Sequence, residues 1–83
     1  QCERAWNELD ISDGQGGLLR IDRLVECAEE FWVIDYKSSG RDTARLEEYR
    51  AQVAAYCRAV GGVFAGRTVR GLLIFSDASA LEV

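Results

Sequence analysis

Phe31-Trp32-Val33-Ile34-Asp35-Tyr36-Lys37 is an apolar run that closes on an acid, a phenol and a base. Read as a buried strand, it sends alternate side chains to opposite faces, so Asp35 and Lys37 share a face. A carboxylate and an ammonium are thereby held side by side at the mouth of the strand. Upstream, Leu18-Leu19-Arg20-Ile21-Asp22-Arg23-Leu24-Val25 is a second apolar strand pattern with an acid, Asp22, inside it. The fold follows from how these two strands are joined and from what flanks them.

Ahead of them, Trp6 to Ile11 reads as a short strand with Trp6, Leu9 and Ile11 as its apolar members. Ser12-Asp13-Gly14-Gln15-Gly16-Gly17, with three glycines in four positions, is a turn or hairpin loop. The second strand runs from Leu18 to Cys27, Ala28-Glu29-Glu30 connects, and the third strand is Phe31 to Lys37. Together they predict a meander of three antiparallel strands. Ser38 to Asp42 is a loop, and Asp42 or Thr43 is the expected N-cap of a helix. From Ala44 to Val60, the residues Leu46, Tyr49, Val53, Cys57 and Val60 recur at three- and four-residue steps. Gly61-Gly62 is expected to end that helix. Val69 to Phe75 is a fourth strand and Leu81 to Val83 the start of a small fifth. A helix between the third and fourth strands is a crossover and leaves them parallel. The predicted order is βββαβ, a mixed sheet of the α/β (α+β) class with helix cover on at least one face. Cover for the other face would come from a helix upstream in a longer parent or from self-association of the chain.

Eighty-three residues suffice for one small domain of modest stability. Hydrophobic residues make up 48%, which excludes wholesale disorder, and there is no proline. The first residue is Gln1 rather than Met, as expected of a piece of a longer protein. A net charge of -4 and a pI near 4.7 argue against a protein that coats nucleic acid through a basic stripe. They do not exclude an enzyme that meets phosphate through metal ions. The acids Glu26, Glu29 and Glu30 read as a solvated turn, while Arg41, Arg45, Arg50 and Arg58 gather after the Asp-Tyr-Lys triplet. Cys2, Cys27 and Cys57 have no zinc-ligand spacing and no histidine to help, so they read as reduced thiols. With no run of transmembrane length and no signal-peptide pattern, the expected location is cytoplasmic, with no membrane partner.

Two acids and a lysine on neighbouring strands suit Mg²⁺ and a phosphodiester. Mg²⁺ prefers oxygen ligands, keeps several waters and is typically held by one or two protein carboxylates, roles for Asp22 and Asp35. The main-chain carbonyl of Tyr36 offers a third oxygen if the strand end is splayed. Lys37 could orient or deprotonate the attacking water, or stabilise charge on phosphorus. The alternative is a buried Asp35–Lys37 or Asp22–Arg23 ion pair that only satisfies charges near a strand end, although burying charge without purpose is costly. On the helix, Arg45, Tyr49, Gln52 and Tyr56 fall along one flank beside the apolar stripe. Amide and phenol groups beside a base could contact phosphate or brace the lysine, or Tyr49 and Tyr56 could be core-edge residues and Gln52 solvated.

The stretch LLRIDRLVECAEEFWVIDYK, Leu18 to Lys37, followed by YRAQVAAY, Tyr49 to Tyr56, resembles the RecB-type nucleases of the PD-(D/E)XK superfamily. These occur at the C-terminus of bacterial helicase–nucleases of the exodeoxyribonuclease V and AddA kind, which process DNA double-strand breaks. The IDR strand, the DYK strand end and the Gln-x-x-x-Tyr helix carry the resemblance, and RGLLIFSDASALEV is similar to the family's last strand and hairpin. The resemblance implies a restriction-endonuclease-like core and a Mg²⁺-dependent DNA nuclease, with Mn²⁺ as a possible substitute. Asp22 and Asp35 would hold the metal, Lys37 would be the catalytic lysine, and Gln52 and Tyr56 the auxiliary pair near the DNA backbone. Arg41 and Arg45 would join that pair in meeting DNA, and Glu8 would match an acidic metal position of some members. A helicase domain or subunit is the implied partner. The chain departs from the family where the first core helix, the upstream metal-binding histidine and the iron–sulfur cysteines of some relatives would stand. It thus reads as the C-terminal portion of a nuclease domain. The competing expectation is a non-catalytic module of the same fold that binds DNA or a partner subunit. Exonuclease or endonuclease action stays open at this stage.

Overall fold

The computed structural model describes residues 2–83. Its elements are β1 (Cys2–Ser12), β2 (Leu18–Cys27), β3 (Glu30–Tyr36), α1 (Leu46–Val63), β4 (Thr68–Ile74) and β5 (Ala80–Glu82). They form one five-stranded sheet in the order β1-β2-β3-β4-β5. The first three strands are an antiparallel meander, β3 and β4 are parallel across the α1 crossover, and β5 returns antiparallel to β4. This is the mixed sheet expected from the pattern, with the crossover dictating the one parallel pair.

The first strand is longer than its apolar members suggest, and it changes face midway. Trp6 packs against the core, yet so do Leu9 and Ile11, an odd step from a residue of even parity. Glu8 explains the switch: it takes a positive φ of 52°, which turns the chain over between Trp6 and Leu9. On the facing strand, Ile21 and Leu24 are both fully buried, so β2 switches face across Asp22 and Arg23. The two strands reverse together, since Leu9 is paired with Ile21 and Trp6 with Leu24.

α1 lies over β3 and β4, burying Val53, Tyr56 and Val60 against Phe31, Val33 and Leu73. The helix starts at Leu46 with Arg45 as its N-cap, later than the expected Asp42 or Thr43. Thr43 still serves the entrance, because its hydroxyl accepts the Arg45 N–H at 3.2 Å. Glu47 and Glu48 sit favourably in the first turn, near the positive end of the helix dipole. Gly61-Gly62 does not end the helix, which continues to Val63. Two helical glycines cost about 1 kcal/mol each relative to alanine. The extra turn offsets that by carrying Phe64 to Phe31, with ring centroids 4.5 Å apart. The reversal comes instead at Gly66, where φ is 91°.

At Gly71 the helix side chains pack directly on the sheet backbone. A Cβ there would stand 2.5 Å from Val53 Cγ1 and 3.1 Å from Cys57 Sγ. Gly71→Ala is therefore expected to lower the unfolding free energy by about 1–3 kcal/mol through overpacking, readable as a lower urea midpoint with an unchanged slope.

Other expectations are corrected by the register. Cys2 stands opposite Cys27 in the β1–β2 ladder, and the two form a disulfide; Cys57 is a free thiol. Their separation of 25 residues conceals a pairing that a hairpin brings face to face. Glu26 is not in a solvated turn but buried, with Arg4 and Arg67 both at 3.0 Å from its carboxylate. Glu30 opens β3 rather than preceding it, and accepts the Trp32 indole N–H at 2.8 Å. No helix among the described residues is long and apolar enough to cross a membrane.

The molecule is flat, 34 × 33 × 19 Å. The thin axis reflects a sheet with one helical layer, since a facing layer adds about 10 Å. On the face away from α1, Val25, Trp32, Ile34, Leu72 and Ile74 are only half-buried. At one end of that face Arg70 bridges Glu30 and Glu82 and stacks on Trp32 at 5.0 Å.

Candidate active site

Along β3, alternation puts Phe31, Val33, Asp35 and then Lys37 in one column under the helix. The first two are core residues, and Asp35 continues the column at only 4% exposure. An acid so placed carries a desolvation penalty, and burial is the main cause that pushes the Asp35 carboxyl above its ordinary range. Lys37 pulls it back down, while the neighbouring Asp22 carboxylate pushes it up again. Desolvation wins, because two ionised carboxylates here would face a single lysine and little water.

Asp22 arrives from the side. The β2–β3 ladder runs from the Glu26–Phe31 pair to Arg23–Ile34 and then stops. Continuing it would set Ile21 opposite Tyr36, but β2 switches face at this point and the strands part. The Tyr36 N–H, left without a ladder partner, is taken by Asp22 Oδ2 at 2.9 Å. On the other edge of β3 the Lys37 N–H keeps its bond to the Ile74 carbonyl at 2.8 Å. The splay that frees a backbone donor thus also steers the Asp22 carboxylate toward Asp35. In an extended strand the N–H and C=O of one residue face the same neighbour, so the Tyr36 carbonyl also faces the β2 side.

Lys37 is hemmed in. Its Nζ lies 2.7 Å from Asp35 Oδ2, 2.7 Å from Gln52 Oε1 and 4.4 Å from the centre of the Tyr49 ring. An ammonium has only donors, which fixes the Gln52 amide with its oxygen inward. The approach to Asp35 is an ion contact whose angles fall outside those of a hydrogen bond. Asp35 Oδ2, although shielded from water, therefore has no aligned donor. Tyr56, one helical turn beyond Gln52, is buried at the base of the site. Its phenol is pushed above its ordinary range by burial first and by the Asp35 charge second.

The described structure thus brings Asp22, Asp35, Lys37, Gln52 and Tyr56 together. An open groove of about 410 Å³ leads away from them, bordered by Tyr36, Lys37, Ser38, Arg45, Tyr49 and Gln52, with Glu48 at its rim. Arg45 reaches this groove but is paired with Glu48 at 2.9 Å. Arg41 is exposed in the loop after β3. That loop is stitched to the β4–β5 turn: the Arg41 N–H donates to Asp77 Oδ2 at 3.2 Å, and the Ser76 N–H to the Ser39 carbonyl at 3.0 Å. Glu8 is not brought to the site. It lies in register with Asp22, but its carboxylate is exposed and turns to Arg20 at 3.7 Å. Arg23, the alternative partner of Asp22, donates instead to Asn7 Oδ1 at 2.7 Å. Tyr49, on the helix flank whose groups could brace the lysine, lies with its ring against the ammonium and also packs on the core. The part of Asp77 had no local signal, because its partner Arg41 lies 36 residues away.

Among the described residues no cluster of three or more His, Cys, Asp or Glu side chains is arranged to hold a metal ion. The donor set is two carboxylates, with a strand carbonyl beside them. It fits a hard divalent cation that keeps much of its water. Asp35 Oδ2, buried and without an aligned hydrogen-bond donor, is an oxygen that such a cation would engage. No curated protein matches the chain. The family model of the PD-(D/E)XK nuclease superfamily matches residues 19–80, a span that takes in both acids, the lysine and the Gln52–Tyr56 helix. A match over most of the length, on a mixed sheet whose splayed strands converge two acids and a lysine, makes this chain a member of the PD-(D/E)XK nuclease superfamily.

Proposed function

We propose that the chain is the nuclease portion of a RecB-type helicase–nuclease, a Mg²⁺-dependent deoxyribonuclease that hydrolyses DNA phosphodiesters during double-strand break processing. The observation that supports it most is the meeting of Asp22, Asp35 and Lys37 at the point where β2 and β3 part. Asp22 and Asp35 would hold the metal, with the Tyr36 carbonyl as a further oxygen. When bound, the cation supplies an activated water and offsets charge on the scissile phosphate. Lys37 presents an ammonium to a phosphate oxygen, and Gln52 holds that ammonium in place. Tyr56 closes the floor of the site and keeps bulk water from the acids. Arg45, at the groove, and Arg41, exposed in the loop after β3, would meet the DNA backbone. Glu8 stays outside the donor set because Arg20 takes its carboxylate.

The test is a cleavage assay on labelled single- and double-stranded DNA with Mg²⁺, with Mn²⁺ and with a chelator. Cutting that needs the metal and disappears in Asp35→Ala is expected. Cutting that survives both chelation and Asp35→Ala would sink the proposal. A donor set of only two side chains favours one competing reading, a non-catalytic module that binds DNA or a partner subunit. That reading expects no metal-dependent scission and no metal binding that depends on Asp35.

A further inference from the structure

We propose that Tyr49 is a positioning residue for Lys37, and that its ring rather than its hydroxyl does the positioning. The proposal rests on the nuclease reading of Lys37 given above. A lysine head group ends a flexible four-carbon stem. Two point contacts, to Asp35 Oδ2 and Gln52 Oε1, leave it free to pivot about the line that joins them. A third contact off that line removes the pivot, and the Tyr49 ring, with Nζ 4.4 Å from its centre, supplies it. The Lys37 side chain is only 16% exposed, and a cation over an aromatic face is held more firmly once it is partly out of water.

The ring is itself well placed to act as a fixed wall. Tyr49 packs against the hydrophobic core, and it rides on the same rigid helix as Gln52, three residues away. Arg45 also lies against the ring, 5.3 Å from its centre, so the ring joins the lysine to the basic side of the groove. The contact matters most when the site is in use. Asp35 Oδ2 cannot serve a cation and Lys37 equally, and its contact with the ammonium is already poorly aligned. With that oxygen engaged elsewhere, Gln52 and the Tyr49 ring are what keep Lys37 aimed.

The 83-residue chain with Tyr49→Phe and Tyr49→Leu tests this by two readouts. In NMR spectra of the metal-free chain, the Lys37 Hε protons are expected to be shifted upfield by the ring in the wild type and in Tyr49→Phe, and to lose that shift in Tyr49→Leu. With Mg²⁺ and labelled DNA, Tyr49→Phe is expected to keep kcat, whereas Tyr49→Leu loses about tenfold in kcat with KM nearly unchanged. Unshifted Lys37 Hε protons in the wild type would overturn the proposal without any variant. So would equal kcat in the two variants, or a Tyr49→Leu loss that lies in KM. A ring shift in a chain that cuts no DNA would support the placement and remove the nuclease reading instead.

Discussion

Asp35→Asn is expected to raise the melting temperature of the metal-free chain while abolishing both DNA cleavage and stabilisation by Mg²⁺. The reason is charge. Asp22, Asp35 and Lys37 together carry one negative charge too many, and the carboxylate with least water around it is Asp35. Its pKa is raised, by desolvation first and with help from Asp22, despite the pull of Lys37. The native state therefore holds its proton more tightly than the unfolded chain does. Stability of the metal-free protein then falls as pH climbs from the ordinary carboxylate value of 3.8 through the raised one. An asparagine removes that slope, keeps the shape, and leaves Asp22 and Lys37 as a balanced pair. Each kcal/mol recovered moves the melting temperature of a domain this size by about 4–8 °C. In the wild type, Mg²⁺ at about a hundred times its dissociation constant adds about 2.7 kcal/mol, and Asp35→Asn should not respond. Melting curves between pH 3.5 and 7.5, with and without Mg²⁺, give all of these quantities. A lower melting temperature for Asp35→Asn, or an intact response to Mg²⁺, would contradict this account.

The features legible in the sequence are those set by local periodicity. Leu18 to Cys27 was bounded by a glycine loop and a short connection, and the strand has those limits. Alternation alone put Asp35 and Lys37 on one face, and one α-helix between two strands forced the parallel pair. Asp22 needed one step more. Its approach to Asp35 depends on β2 switching face, which depends in turn on the left-handed backbone at Glu8 across the ladder. The trace of that switch in the sequence is the uneven spacing of Trp6, Leu9 and Ile11 on one strand and of Ile21 and Leu24 on the other, a feature without an obvious meaning until the register is known.

Features that depend on distant partners were not legible. Glu26 looks like one of three solvated acids because its partners, Arg4 and Arg67, are 22 and 41 residues away. The disulfide was hidden in the same way, by a ladder that pairs Cys2 with Cys27. The helix runs past Gly61-Gly62 because glycine propensity is a local term of about 1 kcal/mol, and the packing of Phe64 on Phe31 beyond it outweighs that term. At the site, the Gln52 contact with Lys37 followed from helical spacing once the helix was laid over β3. Its specificity, an amide oxygen turned to an ammonium, needed the three-dimensional arrangement.

Lys37→Met is expected to do the reverse of Asp35→Asn to the fold and the same to catalysis. Methionine keeps most of the stem and deletes the charge. Asp35 is then left buried beside Asp22 with no counter-charge, and removing one partner of a buried pair costs about 3–5 kcal/mol. Partial protonation of Asp35 relieves some of this, so a loss near the lower figure and a fall in melting temperature of roughly 10–20 °C are expected. The site now carries two uncompensated negative charges, so it should bind Mg²⁺ more tightly than the wild type, and saturating Mg²⁺ should restore most of the lost stability. Cleavage should not return with it. A preorganised positive charge aimed at a reacting oxygen is worth about 10²–10³ in kcat, and the metal does not occupy the place from which Lys37 acts. The separation of the two responses is decisive. If Lys37 served only to balance Asp35, Mg²⁺ would rescue fold and cleavage together, and the lysine would be a structural counter-ion. Recovery of the melting temperature with kcat still depressed at saturating Mg²⁺ and saturating DNA assigns Lys37 to the chemistry itself.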